Sequence, residues 1–93
     1  MSCVMQFTWD EQKRQSNLAK HGLDFMDVHK VFAGAIILFE DNRFAYGEKR
    51  MVAIGLLGIA VVVVVHVDDD DTIHIISMRR ATKNEQKTYF ANL

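Results

Sequence analysis

The chain has 93 residues, of which 49% are apolar and 25% charged, with 11 basic against 12 acidic side chains. That length suits one domain with one modest core, and the apolar share excludes a disordered chain. The near-zero net charge gives no bulk basicity of the kind nucleic-acid binders usually carry, so any such contact has to come from local clustering of cations. A single cysteine, Cys3, excludes an intramolecular disulfide and fits a reducing cytosol. With no proline, linker or repeat, residues 1–93 read as one domain. The first residues show neither a basic stretch nor a long apolar run, so no signal peptide is expected and the location is read as cytoplasmic.

In chain order, Val4 to Trp9 reads as a first strand with Phe7 and Trp9 on one face. Asp10 can cap a helix running to about His21, with Gly22 as a left-handed stop. Its large apolar residue is Leu18, while Lys13, Arg14, Asn17, Lys20 and His21 recur at helical spacing. The expectation is a wide cationic surface and a thin core contact. Asp24 can cap a second helix, Phe25 to about Phe32, whose apolar stripe is Phe25, Val28 and Phe32. Ala35 to Phe39 reads as a strand, Glu40 to Arg43 as a turn, followed by a polar stretch to Gly47.

Met51 to Val67 carries no formal charge, but it is short for a membrane span and is broken by Gly55 and Gly58. Its valine run favours strand, so two buried strands, Lys49 to about Leu56 and Ile59 to Val67, are predicted to join at Gly55-Leu56-Leu57-Gly58. No membrane association is expected. Asp68 to Asp71 forms a turn, Thr72 to Met78 the last strand, and a helix starts near Lys83. Thr82 and Glu85 have capping-box spacing, and Tyr89 or Phe90 packs back. Short turns demand antiparallel pairing, so the last three strands form a meander. The expected class is α+β: a small antiparallel sheet with two N-terminal helices and a C-terminal helix, all helices on one face.

Most of the cations cluster in sequence: Lys13, Arg14, Lys20 and His21 on the first helix; Lys49-Arg50 at a strand start; and Arg79-Arg80 at the last strand's end, followed by Lys83. Arginine's planar fork suits phosphate, and two adjacent arginines on a regular strand point to opposite faces. His66 and His74 lie on one hairpin. A two-residue loop puts them on opposite faces and a three-residue loop on the same face. His74 is a candidate proton carrier, whereas His66, in a valine run, reads as a partly exposed strand residue without a task. The run Asp68 to Asp71 reads as a solvated hairpin tip, since four consecutive carboxylates cannot all face one ion. No metal or cofactor motif is present.

Three stretches carry a resemblance. Phe7-x-Trp9-Asp10-x-x-Lys13 with Asn17, Lys20-His21-Gly22 and Phe25 resembles the opening signature of the BrnT toxin family. Asp41-x-Arg43 with Gly47-Glu48-x-Arg50, and Ile76-Ser77-x-Arg79-Arg80-Ala81 with Glu85 and Tyr89, look like its middle and closing signatures. The resemblance spans Phe7 to Tyr89. It implies a RelE-like fold, a cytoplasmic endoribonuclease toxin of a type II toxin–antitoxin system that inhibits growth, and neutralisation by a BrnA-type ribbon-helix-helix antitoxin, through which any DNA contact is made. The implied chemistry is metal-independent attack of the RNA 2′-hydroxyl on the adjacent phosphate, with no cofactor. Arg79, Arg80 and Arg50 are then candidate charge stabilisers, His74 and His21 candidate proton carriers, and Lys13, Lys20, Lys49 and Lys83 candidate RNA contacts. The chain departs from many relatives in its acidic Asp68 to Asp71 turn and in His74, where arginine is common. The alternative is a weak or inactive toxin fold that serves as an antitoxin-binding module.

Overall fold

The computed structural model describes residues 5–42 and 47–93. Strand β1 (Gln6–Trp9) leads into helix α1 (Glu11–His21). A 3₁₀ turn (Phe25–Asp27) and helix α2 (Val28–Ala33) follow, then β2 (Ile37–Glu40), β3 (Met51–Leu57), β4 (Ala60–Asp69), β5 (Thr72–Arg80) and α3 (Lys83–Ala91). The predicted first strand extends over Val4, and the predicted turn and polar stretch over residues 43–46; those positions lie outside the described residues. Five strands form one sheet in the order β1-β5-β4-β3-β2.

The β3–β4–β5 meander forms as short turns require, and β2 adds antiparallel to β3. The sheet is nevertheless mixed, which corrects the all-antiparallel expectation. β1 runs parallel to β5, Gln6 opposite Thr72 and Trp9 opposite Ile75. Nothing local sets the direction of β1, because most of the chain separates it from its partner.

A second correction concerns the layers. α1 and α2 cover one face, where Phe25, Val28 and Val31 meet Ala53, Val62, Val64, Ile75 and Met78. α3 covers part of the other, where Tyr89 packs with Val52, Ile54, Val61 and Val63. A strand covered on both sides has no polar face, which accounts for the unbroken valine run in β4. Each fully buried side chain of this size contributes roughly 1.5–3 kcal/mol. Of the two aromatic residues expected to pack back, Tyr89 does so, donating from its hydroxyl to the Ala35 carbonyl at 2.7 Å, while Phe90 stays exposed.

The predicted joint, Gly55-Leu56-Leu57-Gly58, holds at its Gly58 end and is corrected at its start. β3 continues through Gly55 to Leu57, and the turn is made at Gly58, where φ is 63°. Gly55 lies beneath α2: a Cβ there would come within 2.8 Å of Ile36 Cγ2 and 2.9 Å of Val31 Cγ1. Its role is close approach between helix and strand.

The caps follow the sequence. Asp10 accepts from the Gln12 and Lys13 amides, Gly22 closes α1 at φ 69°, and Asp24 accepts from Met26. Thr82 and Glu85 form the full capping box of α3. The second helix differs, being a 3₁₀ turn before α2 rather than one α-helix from Phe25.

α1 is attached differently from expectation. Leu18 is exposed, and the buried residue of the helix is Asn17. Its Nδ2 donates to the carbonyls of Met78 (2.8 Å) and Leu23 (3.1 Å), and its Oδ1 accepts from the Met78 amide at 3.2 Å. β1 stops opposite Ile75, so the Asn17 amide serves as the ladder partner for β5 beyond that point. The contact is thin in apolar area, as the composition suggested, but it is polar and specific.

Candidate functional site

The site is built on an irregularity in β5. His66 pairs with Ile75 and Val65 with Ser77, so Ile76 is an extra residue, a β-bulge. Strict alternation would put His74 and Arg79 on opposite faces. The bulge restores them to one: His74, Ser77 and Arg79 sit opposite Val67, Val65 and Val63, which share the α3 face by alternation along β4. α3 shelters only part of that face. Val61 and Val63 are buried, whereas Val65, Val67, His74, Ile76 and Ser77 are half-buried. An open area of sheet therefore lies beyond α3, with His74 on it and Arg79 at its border.

Arg79 is firmly placed. Its two terminal nitrogens donate to the two carboxylate oxygens of Glu85, at 2.7 and 2.9 Å. The same carboxylate accepts from the Thr82 amide, so β5, the loop and the start of α3 converge on it. The Arg79 guanidinium holds the Glu85 carboxyl at about 2, well below its ordinary 4.5, with the Thr82 amide adding to the effect. Because the folded-state value is depressed, the pair contributes stability in full above the unfolded value and loses it as pH falls from about 4.5 to about 2. The side chains are 37% and 26% exposed, so solvent screening limits the contribution to about 1–2 kcal/mol. Glu85→Gln is expected to lower the thermal midpoint at pH 7. The gap from wild type should shrink below pH 4.5 and close near pH 2; a gap constant across that range would show that the carboxylate charge is not what matters.

Arg80 pairs with Val62, opposite in facing to Arg79 as alternation predicts, and is exposed beside Ile59 and Phe90. Arg50 precedes β3; its carbonyl accepts from the Asp41 amide at 2.9 Å, and its Nε lies 3.7 Å from Glu48. His74 Nδ1 is 2.9 Å from Thr8 Oγ1 on β1. A hydroxyl both donates and accepts, so Thr8 can serve either tautomer of His74.

The first-helix cluster divides. Arg14 is committed to Asp24 through two hydrogen bonds (2.8 and 3.1 Å) and to Glu11, which lowers the Asp24 carboxyl below its ordinary range. Lys13 and Lys20 have no ion-pair partner among the described residues. Both line a shallow depression with Ser16, Asn17, His21, Ile76 and Ser77. The bulged edge of β5 thus links the free cations of α1 to the open sheet face. Lys49 is exposed ahead of β3, and Lys83 lies on the exposed side of α3 with Gln86, Lys87 and Phe90.

His66 does not join this site. The β4–β5 turn is the two residues Asp70 and Asp71, so His66 and His74 face opposite sides. His66 is 1% exposed, which corrects its reading as a partly exposed residue. Its Nδ1 lies 2.6 Å from Asp68 Oδ1, its ring meets Phe32 edge-on, and its Nε2 has no hydrogen-bond partner among the described residues. Asp68 is accordingly more than a solvated carboxylate, while Asp69 to Asp71 are exposed.

The bulge, Asn17 and the Glu85 clamp were not read as site features from the sequence. Asn17 and Glu85 were visible as signature positions, but only the register shows what they hold.

The chain is thus an α+β domain with a small mixed sheet, an arginine held by a carboxylate and a strand edge lined by cations. A family model described as "Ribonuclease toxin, BrnT, of type II toxin-antitoxin system" matches residues 9–85. The chain belongs to the BrnT family of ribonuclease toxins of type II toxin–antitoxin systems. A search of curated proteins finds no match. Membership implies ribonuclease activity and an antitoxin partner. Among the described residues no helix is long and apolar enough to cross a membrane.

Proposed function

We propose that this toxin cleaves RNA without a metal ion, on the sheet face left open beyond α3, and that a BrnA-type ribbon-helix-helix antitoxin neutralises it in the cytoplasm. The observation that carries the reading is the β5 bulge, which gathers His74, Ser77 and Arg79 on one face and adjoins Lys13, Lys20 and His21. RNA phosphates would run along Lys13 and Lys20 and continue toward Lys49. The 2′-hydroxyl attacks the adjacent phosphorus, the 5′-oxygen leaves, and a cyclic phosphate remains. His74, steadied by Thr8, is positioned to move a proton, with His21 as the second carrier. Arg79 and Arg50 stabilise the added negative charge; arginine stays protonated and cannot serve as the base. Arg80 faces the other way and is assigned the lesser part.

The test has two parts. Expressed without antitoxin, the protein is expected to arrest growth, and co-expression of the protein encoded by the adjacent reading frame should restore it. Purified toxin should cut a defined RNA with EDTA present. Cleavage abolished by EDTA and restored by a divalent ion would overturn the metal-free mechanism. The Arg79–Glu85 pair and the acidic Asp69 to Asp71 tip favour a second reading, an inactive fold kept for antitoxin binding. Normal growth at verified high levels of folded toxin would select it.

A further inference from the structure

Beside α3 lies a surface that the open sheet face does not use. Phe90 is 56% exposed, although it follows the buried Tyr89, and Ile59 at the β3–β4 hairpin is fully exposed. One shallow groove is lined by Ile59, Arg80, Gln86 and Phe90 among others, and a second by Lys83, Gln86, Lys87 and Phe90. Sharing Gln86 and Phe90 makes them one continuous surface. Among the described residues its charged side chains, Arg80, Lys83 and Lys87, are all cationic, and no carboxylate lines either groove. Apolar groups ringed by charge of one sign are the ordinary anatomy of a docking patch.

We infer that this surface docks the antitoxin, through a segment that sets apolar side chains on Phe90 and Ile59 and carboxylates against Lys83, Lys87 and Arg80. The inference rests on the toxin–antitoxin reading above and names where the partner binds. Charge complementarity selects the occupant. A second copy of this chain would bring the same cations face to face across a two-fold axis. RNA would use the cations, but a phosphate backbone gains nothing from an aliphatic side chain at a hairpin tip. An acidic amphipathic protein segment satisfies both the apolar groups and the cations.

Ile59→Asp, Phe90→Ala and Lys87→Glu, each in the full chain, would be titrated with the protein encoded by the adjacent reading frame, at low and moderate salt. Phe90→Ala and Ile59→Asp are expected to weaken the complex roughly tenfold or more. Lys87→Glu should mainly slow association and flatten the salt dependence. All three substitute exposed residues, so thermal midpoint and RNA cleavage by free toxin should match wild type. Wild-type affinity in both Ile59→Asp and Phe90→Ala overturns the docking surface. So does loss of RNA binding with antitoxin affinity intact, or a wild-type homodimer that these variants dissociate. If wild type itself forms no complex, the antitoxin reading fails, and that outcome is distinct from failure of the surface alone.

Discussion

Arg79→Ala is expected to lower RNA cleavage by roughly 10²–10³, the usual cost of losing one fixed charge donor aimed at a transition state. It should also cost about 1 kcal/mol of stability, because the Glu85 carboxylate loses both of its guanidinium hydrogen bonds. The two effects can be separated. Arg79→Ala/Glu85→Gln lacks the pair altogether, so its stability should match that of the single variants, the second substitution adding little, while cleavage stays low. Glu85→Gln alone leaves the guanidinium without its neutralising partner, and cleavage should hold or rise. Arg80→Ala should stay within about 0.5 kcal/mol of wild type in stability and cleave at close to the wild-type rate. Measurement is by thermal midpoint and by initial rate on a defined RNA. Full activity in Arg79→Ala would reduce this arginine to a strut between β5 and α3. Reduced activity in Arg80→Ala at unchanged stability would move the chemistry across the sheet.

How much of this was legible in the sequence depended on the range of the interaction. Caps at Asp10, Asp24 and Thr82 were readable because a cap is a bond between near neighbours. The β3–β4–β5 meander was readable because short turns leave one pairing direction. The valine run is readable as strand, but which helix covers which face of it is set by contacts distant in sequence, so α3 lies opposite the other helices rather than beside them. The direction of β1 was invisible because most of the chain separates it from β5. The bulge at Ile76 was hidden for another reason. An extra residue in a ladder appears only against its partner strand, and the run Thr72 to Arg80 reads as regular. That single residue decides which side chains share a face with His74, so residue types could be nominated from the sequence while their grouping could not.

Asn17 shows how a polar residue can be mistaken for surface. On a helix rich in Lys, Arg and Gln it continues the solvated pattern, yet it is the position α1 buries. Asn17→Ala removes three hydrogen bonds and leaves the Met78 amide and two carbonyls without partners. Each buried group left unsatisfied costs about 1–3 kcal/mol, and partial access of water brings the expected total to about 2–4 kcal/mol. For a chain of this length that corresponds to a fall in thermal midpoint of roughly 10–25 °C. Asn17→Asp is the sharper probe. Its carboxylate can still accept from the Met78 amide, but it sets negative charge against two carbonyls and has nothing to donate. Protonation restores a donor, so the folded-state carboxyl value is expected to rise. The penalty should then be full at pH 7 and diminish as pH falls through that raised value, opposite in sign to Glu85. A midpoint for Asn17→Ala within a degree or two of wild type would show that water replaces the side chain without loss. If the midpoint falls as expected, RNA affinity should fall with it well below the melting temperature, because Asn17 fixes the helix that presents Lys13 and Lys20 to the edge of β5.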